Sequence, residues 1–335
     1  MSRRGVFTLA KVVGCILATV AVIAALAWSQ AQPSTSTVVD PAAGVGAEPS
    51  AAADAAAWTP EDWAIFEEKV RFAAGRGLAD KDLGDAVVQL AETFVGTTYE
   101  PGTLEVAGPE RLVVNFRELD CVTLVETVLA LTRFVREEGV EALSDPAVAQ
   151  ARYESHLMAL RYRGGRLDGY PSRLHYFSEW LADNEARGTV HITTGELDPA
   201  IDPEPVNFMS RHPEAYRQLS EPGVLRAIAG IEARLDEGPG REYVPQDRIA
   251  RVADRIRNGD VIAATSTVEG LDVAHTGFAV WRDGALYLLH APLVGRSVEI
   301  SERPLAERIL SIDSQDGIMV ARPVDPARQQ DPTRQ

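Results

Sequence analysis

Apolar residues recur at helical spacing through the first half of the chain and crowd into short extended runs through the last third. Thr59 and Pro60 open the first pattern, threonine as a cap and proline as a first helical residue. Trp63, Phe66, Val70 and Phe72 continue it as a helix. Residues 80–95 carry a second helix, with Leu83, Val87, Val88, Leu90 and Phe94 on its inner face. Residues 96–108 form a loop with turn chemistry at Pro101-Gly102, and 111–116 a short extended piece. Helices follow over 121–138 and 145–162, then a glycine-containing loop at 164–170 and a helix over 172–180. The pattern then changes. Residues 188–193, 260–265, 274–281, 285–290, 298–300 and 317–321 have strand character. Between the third and fourth of these stands Arg282-Asp283-Gly284, and Asp-Gly is a strong hairpin signal. Helices early and strands late predict an α+β fold, with helices packed on an antiparallel sheet.

The ends of the chain read differently. Arg3, Arg4 and Lys11 precede an apolar run over 12–28, followed by small residues suited to cleavage. The run is long for a signal peptide and short for a membrane span of roughly 20 residues. Residues 1–31 are therefore expected to be a signal peptide or an N-terminal membrane anchor, and either places the domain outside the cytoplasm. That predicts a periplasmic or cell-envelope location and leaves a membrane tether open. Residues 32–57, rich in Ala, Pro, Ser and Thr, read as a flexible linker. Residues 58–323 form the expected domain and 324–335 a polar tail. The formal net charge of −16 argues against a nucleic-acid partner, because phosphate contacts need a basic surface.

Candidate chemistry centres on cysteine. The chain has two, and Cys15 lies inside the apolar N-terminal run. Cys121 is then the single thiol of the exported domain, with no internal disulfide partner. It follows Asp120 at the start of an amphipathic helix, a position that favours a thiolate. A cysteine nucleophile needs a base and a group to orient that base. His275 begins one strand of the predicted hairpin and His290 ends the other, so the turn brings them side by side at the ribbon's open end. Gly277 leaves space on that strand for a close approach. No metal-ligand spacing occurs and no cofactor is implied.

Asp120-Cys121 opening a helix, His275-Thr276-Gly277-Phe278 on a strand and Leu289-His290-Ala291 on the next resemble the NlpC-type branch of papain-like cysteine hydrolases. More narrowly, the chain resembles the N-acetylmuramoyl-L-alanine amidase-like family. The stretches 102–105, 111–121, 172–177 and 316–320 share that likeness, which spans about residues 80–322. Val122-Thr123 follows the cysteine where the general NlpC pattern has Ser-Gly, which weakens transfer of ordinary NlpC dipeptide specificity. The resemblance implies a papain-like fold, with Cys121 as nucleophile, His275 as general base and His290 as the orienting residue. It implies hydrolysis of the bond between muramic acid and L-alanine in peptidoglycan or a muropeptide. A peptidase acting within the stem peptide and a non-catalytic muropeptide-binding module are the alternatives. Arg173, His175 and Tyr176 are candidate substrate contacts, since an arginine can hold a carboxylate bidentately and a tyrosine can stack on a sugar. Tyr99 could line the cleft, and Asn115 could hold the loop before the helix.

Overall fold

A computed structural model of the protein describes residues 58–326. The expected export segment and linker, and most of the expected tail, lie outside the described residues. The helices are α1 (Pro60–Gly75), α2 (Leu83–Glu92), α3 (Cys121–Glu137), α4 (Pro146–Arg161), α5 (Phe177–Ala186), the one-turn α6 (Phe208–Arg211), α7 (Pro222–Leu235), the one-turn α8 (Ile249–Val252) and α9 (Leu305–Leu310). The strands are β1 (Thr98–Tyr99), β2 (Glu118–Leu119), β3 (Val190–Ile192), β4 (Ala200–Asp202), β5 (Arg241–Pro245), β6 (Val261–Ser266), β7 (Val273–Arg282), β8 (Ala285–His290), β9 (Glu299–Ile300) and β10 (Gln315–Pro323).

An eight-stranded sheet runs in the order β4-β5-β10-β6-β7-β8-β9, and β3 joins the β5 side of β10 further along that strand. Every pairing in it is antiparallel. β1 and β2 form a separate parallel pair. The hairpin β7–β8 turns as its sequence requires. Arg282 pairs with Ala285, and Asp283 and Gly284 both take positive φ, +49° and +78°, as a type I′ turn demands.

Both faces of the sheet are buried, and the strand residues alternate between two cores. Val261, Ala263, Phe278, Val280 and Leu289 face the large core built with α1 to α5. Ile262, Ala264, Ala279, Leu286 and Leu288 face a second core closed by α8 and α9. A satellite cluster gathers Tyr170, Tyr176 and Val206 with Met209 of α6 and Ile228 and Ile231 of α7. α3 lies at the centre of the helical layer; of its residues, Leu124 to Thr132 and Phe134 to Val135 are all buried. That burial includes Glu126, which accepts from Arg161 Nε at 2.6 Å, while Arg161 Nη1 donates to the Val113 carbonyl at 2.7 Å.

Two expected elements differ. The helix predicted over 172–180 begins only at Phe177; a 3₁₀ turn covers Tyr170–Ser172, and Arg173 and Tyr176 are extended. Tertiary contacts override the local pattern here: Arg173 bridges to Tyr162, and the Leu174 N–H donates to the Arg161 carbonyl. The extended piece at 111–116 joins no ladder; the Phe116 N–H donates instead to Asp62 Oδ1 at 2.9 Å. The strands β4 and β5 and the helices α7 and α9 were not drawn from the sequence pattern.

Removing one member of a buried ion pair strands the other charge, whereas replacing both with apolar groups costs much less. Arg161→Met should lower stability by about 3–5 kcal/mol, and the double variant Glu126→Met/Arg161→Met by less. Urea unfolding midpoints measure this, and an equal loss in the two proteins would contradict it.

Candidate active site

Cys121 is the first residue of α3 and the one free cysteine among the described residues. Asp120 caps the helix: its Oδ1 accepts from the Thr123 N–H at 2.7 Å, and Thr123 Oγ1 accepts in return from the Asp120 N–H at 2.8 Å. This capping box fixes the direction in which the chain enters α3. The helix start is then fastened to the sheet, since Thr276 Oγ1 on β7 donates to the Cys121 carbonyl at 2.8 Å. Cys121 therefore lies beside the strand that carries His275.

The strand register places the two histidines. His275 pairs with Ala264, and a bulge follows between Ala264 and Thr265, at the end of β6 beside the site. Across the hairpin Phe278 pairs with Leu289, so His290 lies one step beyond, diagonal to His275 rather than side by side with it. Gly277 makes room for this: a Cβ there would come within 2.4 Å of the Leu289 carbonyl oxygen and 3.0 Å of His290 Cβ. His275 Nε2 and His290 Nδ1 are 2.7 Å apart, with the rings nearly perpendicular at 88°.

The remaining residues singled out from sequence divide. Tyr99 pairs with Leu119, two residues before the cysteine, and its hydroxyl responds to the charges of Cys121 and Asp120, which puts it beside the thiol. Asn115 Oδ1 accepts from the N–H groups of Arg117 and Glu118 at 3.0 and 3.1 Å and so holds the turn before β2. The geometry does not support substrate contacts at Arg173, His175 and Tyr176. Arg173 is buried, grips Glu110 through two bonds of 2.9 Å and Glu105 through one of 2.8 Å, and stacks over Tyr170. His175 Nε2 lies 2.9 Å from the Tyr170 carbonyl oxygen. Tyr176 is buried, donating to Glu232 Oε1 at 2.6 Å and accepting from the Met209 N–H at 2.8 Å. Arg173 and Tyr176 face inward because acids distant in sequence wait for them there, whereas His175 is half-buried against a backbone carbonyl.

Two residues to which the sequence reading gave no role belong to the site. Thr276 was visible in the strand motif but not as the anchor of the helix. Arg308 on α9 exerts its charge on His275, His290 and Cys121 together, and its Nη1 donates to Gln315 Oε1 at 3.3 Å. Nothing in the short Leu305–Leu310 segment marks it. Elsewhere among the described residues, Glu137, Glu138 and His156 bring possible ligand atoms within 4.8 Å of one another. Arg133 and Arg152 lie on those two carboxylates, an arrangement that disfavours a cation.

The model of the N-acetylmuramoyl-L-alanine amidase-like family matches residues 89–318, a span that holds Cys121, His275 and His290. The chain belongs to this family. Among solved structures, an N-acetylmuramoyl-L-alanine amidase from Bacteroides uniformis is 34% identical, covering 72% of this chain and 99% of its own, with a TM-score of 0.65. A Bacteroides fragilis protein described as a putative xylanase is 35% identical over 70% of this chain and 99% of its own, with a TM-score of 0.63. A Legionella pneumophila protein at 18% identity and a TM-score of 0.56, covering 79% of this chain and 95% of its own, shares the fold. No curated protein matches the chain.

In this member of the amidase-like family the electrostatics of the site differ from the sequence expectation. Burial pushes the Cys121 thiol up to about 11; the Asp120 carboxylate adds to this, and the Thr276 donors oppose it. The helix N-terminus does not overcome desolvation. Burial also drives His275 well below 6.5, with further depression from His290 and Arg308. It brings His290 to about 3, with Arg308 again adding. The resting pair is thus a neutral thiol and a neutral imidazole, so any attack by the thiol requires its proton to move. Because the thiolate is the species that alkylates, the rate with iodoacetamide should climb about tenfold per pH unit above neutrality, with its midpoint near a pH of about 11. A rate already level at neutral pH would show a standing thiolate–imidazolium pair instead.

Proposed function

We propose that this chain is an exported cysteine amidase that hydrolyses the bond between the muramic acid lactyl group and L-alanine in peptidoglycan or muropeptides, on a papain-like fold of NlpC type. The observation that carries this reading is the anchoring of Cys121 to β7 by Thr276, the residue next to His275, with His275 in turn bonded to His290. His275 takes the thiol proton as Sγ attacks the amide carbonyl. Backbone N–H groups at the start of α3 stabilise the oxyanion. The imidazolium gives its proton to the leaving amine of L-alanine, and a thioester to the lactyl carbon remains. His275 then takes a proton from water, whose hydroxide attacks that carbon and releases the acid and the thiol. His290 holds the His275 ring. The basic and apolar start of the chain supports export.

The xylanase description of the Bacteroides fragilis relative does not transfer easily. Glycoside hydrolysis uses a pair of carboxyl groups across the sugar. Here the thiol and two imidazoles stand together, and the neighbouring Asp120 is committed as a helix cap.

Mass spectrometry of a defined muropeptide incubated with the protein tests the reading. Wild type should release a peptide that begins with free L-alanine. Cys121→Ala and His275→Ala should each lose at least about a thousandfold in kcat, and His290→Ala roughly ten- to a hundredfold. Cleavage inside the stem would move the scissile bond while leaving the mechanism in place. Turnover by Cys121→Ala near the wild-type rate would overturn it.

A further inference from the structure

One ring nitrogen of the histidine pair is unaccounted for. His290 is only 2% exposed, and its Nε2 is buried without a hydrogen-bond partner. Its Nδ1 is engaged with His275. The group that faces the orphan atom is the carboxylate of Glu299, with Oε1 3.7 Å away. This placement is set by the register, because His290 on β8 pairs directly with Glu299 on β9. The loop before β9 leaves room for the carboxylate: a Cβ at Gly295, where φ is +110°, would stand 3.2 Å from Glu299 Oε2.

The bonding rules of imidazole give this geometry a direction. A neutral histidine has one donor nitrogen and one acceptor nitrogen. Nε2 of His275 faces His290, so Nδ1 is the atom left to receive the thiol proton. To be a base at Nδ1, His275 must carry its own proton on Nε2 and donate it to His290 Nδ1. His290 Nδ1 is then an acceptor, and the proton of His290 must sit on Nε2, the orphan atom aimed at Glu299.

We infer that Glu299 is a positioning residue, the fourth member of a relay Cys121–His275–His290–Glu299, which accepts from the His290 Nε2–H and fixes the tautomers of both histidines. At 3.7 Å a small side-chain turn or a bridging water completes the contact. The carboxylate has a second effect. Arg308 of α9 acts on both histidines against protonation, and Glu299 is the acid that acts on Arg308. Glu302, just after β9, adds its negative charge on Glu299. When His275 becomes a cation, Glu299 therefore offsets a field that Arg308 alone would make unfavourable. The inference rests on the reading of Cys121 as nucleophile and His275 as base.

The test uses the full-length protein and two readouts. The first needs no substrate: nitrogen-15 NMR of the histidine rings reports which nitrogen of His290 carries the proton. Wild type should show Nε2 protonated, and Glu299→Ala should mix the two tautomers. The second is steady-state turnover of the muropeptide. Glu299→Ala should lose roughly ten- to a hundredfold in kcat, as outer partners of functional histidines do, with KM within about twofold. Glu299→Asp should recover part of the loss, and Glu299→Gln should keep the tautomer while losing rate, since it retains an acceptor oxygen without the charge. An unchanged ring spectrum in Glu299→Ala, or an unchanged kcat in an enzyme that depends on Cys121, overturns the inference. Should wild type show no Cys121-dependent turnover, the functional reading fails, and the tautomer of His290 alone decides the role of Glu299.

Discussion

The bond from Thr276 to the Cys121 carbonyl ties the helical layer to the sheet at the point where the thiol must be placed. Its position depends on the sheet having two buried faces. On β7, Phe278 and Val280 point into the helical core, and Ala279 into the core beneath α8 and α9. A slip of β7 by one residue would exchange these sets and bury the wrong side chains in both cores at once. The same slip would take Thr276 from under the helix and His275 from beside His290. Register, core packing and the placement of the nucleophile are thus one constraint, and each strand that borders β7 enforces it.

Burial also carries a chemical consequence. Withdrawing a thiol and two imidazoles from water favours the neutral form of each, so the thiol and the imidazoles are driven apart in proton affinity. The site is poised to transfer a proton only when something offsets the charge separation. In the proposed mechanism substrate supplies part of this, because the developing oxyanion at the helix start would take up the negative charge of the thiolate. Such a site keeps its thiol protonated, and so less exposed to oxidation, until an amide is bound.

What the sequence made legible was local. The Asp283-Gly284 turn, the cap at Thr59 and the strand motif around His275 each act over a few residues, and the structure forms them where the pattern put them. The diagonal offset of the histidines was out of reach, because it depends on the pairing of Phe278 with Leu289 rather than on turn length alone. Arg173 and Tyr176 illustrate the opposite failure. An arginine and a tyrosine on an expected helix suggested recognition, yet their partners Glu105, Glu110 and Glu232 lie far along the chain and draw both side chains inward. Arg308 and Glu299 were missed for a related reason: α9 and β9 are short, and only the packing of α9 over β8 gives either residue a role.

The buried arginines nonetheless bear on the site through the loop they hold. Residues 100–117 connect Tyr99 to the strand that leads into Cys121, and they form no ladder of their own. Arg173 fixes that loop at Leu104, Glu105 and Glu110; Tyr162 bonds Glu110 and the Arg111 carbonyl; Arg161 bonds the Val113 carbonyl; Asp62 receives the Phe116 N–H. Arg217 adds a bond to the Val106 carbonyl from beside the satellite core. A loop with little regular hydrogen bonding of its own gains rigidity from charged side chains on four other segments. The segment between Tyr99 and Cys121 is therefore held by residues of other segments, and changes at Arg173 should reach the site through the position of this loop rather than through lost recognition of a substrate carboxylate.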